Sequence, residues 1–153
     1  MREINKIIIH CSDSDIPSHD NIDAVRQWHM DRGWNGVGYH FFIQKNGNIE
    51  EGRPLVIAGA HCKGHNKDSV GICLSGKKEF TDAQMDSLYS LVQKLCSDHY
   101  IHPRSVYPHN KFNKNKTCPN FELPDFYIGS KREKLDEDFP RDYDITQGGD
   151  CEC

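Results

Sequence analysis

Ile4-Asn5-Lys6-Ile7-Ile8-Ile9-His10-Cys11, followed at once by Ser12-Asp13-Ser14-Asp15, is the stretch on which the fold turns. The run is short, β-branched and apolar, and it stops in a polar loop. That is the pattern of a buried strand. His10 then stands at the end of a central strand, where open sheets commonly hold their ligands. A histidine there is more often a hydrogen-bonded structural residue than a metal ligand, so its position alone is a weak signal.

Downstream, Ser18 to Asn21 offers several N-cap residues, Ile22, Val25 and Trp28 share one helical stripe, and Gly33 ends it. Tyr39 to Gln44 and Ile49 to Glu51 read as strands joined at Asn46-Gly47, because a tight type I′ turn needs positive φ at both central positions. Ser69 to Leu74 is another short apolar strand. Thr81 opens the clearest helix, and Gln84, three residues on, completes a capping box. Met85, Leu88, Val92, Leu95 and Cys96 then recur at three and four, as a core-facing stripe does. Residues 110–119 are polar and loop-like, and 121–128 read as a terminal segment packing back on the body. Strands mixed with two helices predict an α/β domain built on one sheet.

Composition narrows the class. The chain has 153 residues, 36% hydrophobic and 27% charged, enough to bury one core without a scaffold of disulfides. Its longest apolar run, Leu55-Val56-Ile57-Ala58, is far below the roughly 20 residues of a membrane span. No signal-peptide apolar region follows Met1, so neither export by that route nor membrane insertion is expected. The net charge of −4 comes from 19 Lys+Arg against 23 Asp+Glu. Residues 130–153 hold 4 of the basic and 8 of the acidic residues, which leaves the body balanced at 15 of each. We therefore divide the chain into a body, 1–129, and an acidic, weakly ordered tail, 130–153. The body is not a basic nucleic-acid binder.

Seven cysteines without an export signal argue for packed residues or metal ligands rather than a disulfide framework. Cys11, Cys62, Cys73 and Cys96 are read as packed or free thiols. Cys151 and Cys153 are too close-set for a convincing structural metal site. Of the nine histidines, His19, His29, His65, His99 and His102 are read as surface or packing residues.

Tyr107-Pro108-His109 and Lys116-Thr117-Cys118-Pro119 lie on one Pro-flanked loop, so His109 and Cys118 can both reach a single ion. Zinc accepts two imidazoles and a thiolate and keeps a fourth position for water. The spacing is not that of a zinc finger, and no His-Glu-x-x-His is present. By spacing alone His10, His109 and Cys118 form a weak signal. Lys116 is two residues from Cys118, and i and i+2 side chains share a face where the chain is extended. Without that context it reads as one solvated lysine near Lys111 and Lys114, and Tyr39 as a half-buried aromatic on the sheet.

Taken in order, the motifs are similar to those of the zinc-dependent N-acetylmuramoyl-L-alanine amidases, the type 2 amidases related to peptidoglycan recognition proteins. Ile7-Ile8-Ile9-His10-Cys11-Ser12 resembles the first metal motif of that family, and Gly33-Trp34 with Val37-Gly38-Tyr39-His40-Phe41 resembles the second. Gly47, Glu51-Gly52-Arg53 and Ala58-Gly59-Ala60-His61 resemble its hairpin and following loop. Ser69-Val70-Gly71-Ile72-Cys73-Leu74 resembles the next core strand, and His109 with Lys116-Thr117-Cys118-Pro119 the closing motif. The likeness spans residues 4–128 and comes nearest to the amidase-type lysozymes of bacteriophages.

The resemblance implies a single mixed central β-sheet with flanking helices. It implies one catalytic zinc held by His10, His109 and Cys118, with Tyr39 and Lys116 as catalytic side chains. Lys116 would stabilise the tetrahedral oxyanion, and Tyr39 would orient water or assist proton transfer. His40 and His61 would flank the cleft. The implied reaction is hydrolysis of the amide between N-acetylmuramic acid and the L-alanine of the stem peptide. The implied setting is a phage endolysin, a monomer kept in the host cytoplasm until the membrane is permeabilised, with peptidoglycan as its partner. Two alternatives share the fold: a non-catalytic peptidoglycan-binding protein, and a regulator of a phage RNA polymerase. The intact His10, His109, Cys118 set and Lys116 argue against the first.

Overall fold

Every residue of strand β1, Lys6–Cys11, is buried, and the sheet is assembled around it. The computed structural model describes residues 2–126; the end of the expected terminal segment and the acidic tail 130–153 lie outside them. After β1 come helix α1 (Ile22–Asp31), the hairpin β2 (Phe41–Ile43) and β3 (Ile49–Glu51), strand β4 (Ser69–Leu74), helix α2 (Asp82–His99) and strand β5 (Val106–Pro108). The five strands run in the order β3-β2-β4-β1-β5. β1 pairs in parallel with β4 and β5, and β2 with β4; β2 and β3 are antiparallel. The sheet is mixed and its helices flank it, as expected.

The two faces follow from the period of two along each strand. Ile7, Ile9, Ile43, Val70, Ile72 and Leu74 point to one face, where Leu88, Val92 and Leu95 of α2 complete the main core. Phe42 and Cys73 point to the other, against Ile22 and Val25 of α1, with Val37 and Tyr39. His10 alternates with Ile9 and so leaves the main core for the α1 side.

Both helix starts obey local chemistry. Among the candidate caps, Asn21 is the one used: its side-chain oxygen accepts from the Ala24 N–H at 2.9 Å. The capping box of α2 is closed in both directions between Thr81 and Gln84. Gln84 does more than cap. It is fully buried, and its Nε2 donates to the carbonyls of Ile43 at 3.2 Å and Ser75 at 2.8 Å, pinning α2 to the ends of β2 and β4.

Four expectations need correction. The strand expected from Tyr39 to Gln44 is regular only over Phe41–Ile43. The hairpin turn is not type I′, because only Gly47 of the Asn46-Gly47 pair takes positive φ (+90°). Gly47 N–H donates to Gln44 O at 2.8 Å, and Gln44 N–H to Asn48 O at 2.9 Å, so one residue more is accommodated than in a two-residue turn. β5 was not anticipated. Three residues including a proline carry little strand signal, and a proline is tolerated there because β5 is an edge. Finally, Cys11, Cys73 and Cys96 are buried free thiols, but Cys62 is disulfide-bonded. Phe121, Leu123 and Phe126 pack on the main core as expected, without forming a regular element. Among the described residues no helix is long and apolar enough to cross a membrane.

Candidate active site

Parallel register brings the first two donors together. Ile9 pairs with Pro108, so His10 and His109 leave the ends of β1 and β5 side by side, with ring centroids 4.4 Å apart. The loop beyond His109 folds back, and Asn110 N–H donates to Cys118 O at 3.0 Å. That return sets Cys118 Sγ 3.0 Å from the backbone N–H of Cys11, one residue beyond His10. One donor atom from each of His10, His109 and Cys118 lies within 4.8 Å of the others, and all three residues are buried. The Cys11 N–H supports negative charge on sulfur, so the cluster suits a thiolate.

Next to this cluster, reached through Cys11 and Tyr39, lies a cleft of about 490 Å³, with Cys11, Ser12, Trp28, His29, Tyr39 and Lys116 in its lining. Tyr39 is nearly buried, with its ring centroid 5.0 Å from that of His10. Lys116 is exposed, on the loop that carries Cys118. Of the five residues singled out from the sequence, His10, His109 and Cys118 form the buried cluster, and Tyr39 and Lys116 line the neighbouring cleft.

The other histidines divide by contact. His29 is buried, and its Nδ1 accepts from Gly38 N–H at 2.8 Å, just before Tyr39. His40 Nδ1 accepts from Gly71 N–H at 3.1 Å, while its Nε2 donates to Ile57 O at 2.8 Å, so this ring braces backbone rather than the cluster. Burial, reinforced by the charges of Arg2 and Arg53 and only partly offset by the Ile57 hydrogen bond, pushes the His40 pKa down to about 4. His61 is fully buried and touches His10 directly, Nδ1 to Nε2 at 2.8 Å. Burial first, then the neighbouring His10, His40 and His109, hold its pKa well below the ordinary value.

Ser69, Gly59 and Gly71, which surround His61, were read from the sequence only as parts of motifs and given no role at the site. An isolated glycine in a strand such as β4 marks a close approach, and that was the available signal. A Cβ at Gly71 would stand 2.6 Å from His61 Cγ, and one at Gly59 would stand 2.6 Å from His61 Cδ2.

Residues 1–121 match the Amidase_2 family, described as N-acetylmuramoyl-L-alanine amidase. The chain is 38% identical over 125 residues to the endolysin of Enterobacteria phage T3, covering 76% of this chain and 81% of that one. Its structure resembles N-acetylmuramoyl-L-alanine amidase LysC from Clostridium intestinale, with TM-score 0.72 and 28% identity over 90% of this chain and 85% of that one. It also resembles a Drosophila PGRP-LB mutant solved in complex with tracheal cytotoxin, with TM-score 0.67 and 26% identity over 86% and 83% of the two chains.

Proposed function

The chain belongs to the N-acetylmuramoyl-L-alanine amidase family, and on that premise we propose that it is a zinc-dependent peptidoglycan amidase of the endolysin kind. Its target is the amide between N-acetylmuramic acid and the L-alanine of the stem peptide. The observation that carries this reading is the buried His10, His109, Cys118 cluster next to a cleft lined by Tyr39 and Lys116. Two imidazoles and a thiolate are a zinc donor set with one position left for solvent or substrate, so the residues fit the metal.

Zinc bound there would supply Lewis acidity toward the amide carbonyl. The chain supplies the rest. His10 and His109 would hold the metal through ring nitrogens and Cys118 through its sulfur, to which the Cys11 N–H donates at 3.0 Å. Lys116, two residues from Cys118, brings its ammonium to the cleft and stabilises the negative charge that develops on the carbonyl oxygen. Tyr39, held close over His10, orients the attacking water and assists proton transfer.

Residues 1–129 are proposed as the catalytic unit, acting on the wall as a monomer once the host membrane is permeabilised. The peptidoglycan assignment is supported by the endolysin relatives and by the tracheal cytotoxin complex of PGRP-LB. The test is end-group analysis of walls digested by the purified protein. New L-alanine N-termini without new reducing sugar ends are expected. Digestion that exposes reducing ends or other amino acids refutes the bond assignment, and binding without any new ends supports the non-catalytic alternative.

A further inference from the structure

His10, His61 and Ser69 are all fully buried and form a hydrogen-bonded line that ends on a backbone carbonyl. The carbonyl decides the direction of every proton in it. His65 O can only accept, so Ser69 Oγ donates to it, at 2.6 Å. Ser69 Oγ lies 3.1 Å from His61 Nε2 and, with its proton committed, accepts the Nε2 proton there. A neutral His61 then carries no proton on Nδ1, which accepts from His10 Nε2 at 2.8 Å. His10 then carries its proton on Nε2, which leaves Nδ1 as the unprotonated ring nitrogen.

Space around His61 is reserved for this arrangement. Gly59 and Gly71 flank the ring so closely that any side chain at either position would displace it. Its backbone is held as well, since Asn66 Oδ1 accepts from the N–H groups of His61 and Cys62, both at 2.8 Å.

We infer that His61 and Ser69 are positioning residues that fix the tautomer and ring orientation of His10, so that Nδ1 rather than Nε2 is the nitrogen presented to the ion. This rests on the zinc site proposed above. A ligand imidazole whose other N–H is anchored is better oriented and more basic, and loss of such an anchor typically weakens metal binding about 10–100-fold.

The test is long-range ¹H–¹⁵N correlation NMR of the wild-type protein, zinc-free and zinc-loaded, with zinc affinity measured by competition against a chelator. His10 is expected to be protonated on Nε2 in both states, with zinc shifting its Nδ1 resonance. His61→Leu removes the acceptor and is expected to lose roughly 10–100-fold in zinc affinity. His61→Asn, whose side-chain oxygen can stand near the Nδ1 position, is expected to recover much of that loss. A wild-type protein that binds zinc through His10 Nε2 overturns the inference alone. A His61→Leu variant with wild-type affinity does the same, as does His61→Asn no better than His61→Leu. A wild-type protein that takes up no zinc overturns the proposed function together with the inference. The wild-type spectra require no variant, so they decide the tautomer even if His61→Leu does not fold.

Discussion

His10 and His109 are neighbours because Ile9 and Pro108 are partners: the parallel pairing of β1 with an edge strand sets the two rings 4.4 Å apart. Cys118 completes the cluster through a loop contact instead of a strand. Cys118→Ala should therefore leave the sheet intact and abolish tight zinc binding. Metal analysis is expected to fall from about one zinc per chain toward none. Wall digestion should drop at least roughly a hundredfold, since several kcal/mol of charge stabilisation go with the ion. Unchanged circular dichroism checks that the fold survives.

Lys116 is exposed at the cleft and outside the donor set. Lys116→Ala should keep its zinc and lose about 100–1,000-fold in kcat, the usual effect of removing one donor to a developing oxyanion. Steady-state kinetics on a soluble muramyl peptide measure this. A change confined to KM would assign Lys116 to binding alone.

Tyr39→Phe keeps the ring that packs near His10 and removes only the hydroxyl. Zinc content should be unchanged while kcat falls about 100-fold or more, the low end for a group that assists proton transfer. A full-rate variant would reduce Tyr39 to packing.

Gln84 predicts a stability effect far from the chemistry. Gln84→Leu leaves the Thr81 N–H and the carbonyls of Ile43 and Ser75 without this partner. A loss on the order of 1–3 kcal/mol is expected for buried groups left unsatisfied. Urea unfolding measures it, and zinc affinity should stay near wild type.

His40 makes stability depend on pH. Its pKa is about 4 when folded against 6.5 as the ordinary value, so between those pH values the unfolded chain binds a proton that the folded chain refuses. Its contribution is full above pH 6.5 and is lost as pH falls toward 4. The slope approaches about 1.4 kcal/mol per pH unit within that window. His61, shifted in the same direction, steepens the loss. Urea unfolding of zinc-stripped protein at several pH values across the window checks this, and a flat profile would contradict it.

The parts of the fold written in local patterns were legible in advance. The all-buried β1, the Thr81–Gln84 capping box and the stripe of α2 each follow from residues close in sequence. The five proposed site residues were named through ordered motifs and not through any one spacing; the structure brings donor atoms of His10, His109 and Cys118 within 4.8 Å of one another and lines one cleft with Tyr39 and Lys116. What escaped were contacts between distant segments. β5 is too short, and too compromised by Pro108, to register as a strand until β1 offers it an edge. Gln84 reads as a cap, and nothing nearby announces that the same side chain closes β2 and β4. His61 could be placed beside the cleft, but its contact with His10 depends on glycines in two separate segments, Gly59 and Gly71.

The most direct measurement is a zinc titration of metal-stripped protein, followed by the rate at which L-alanine N-termini appear in purified walls. The rate should start near zero, rise with added zinc and level off at about one equivalent, as a single three-ligand site requires. Full activity in the stripped protein, or no response to zinc, would contradict the account.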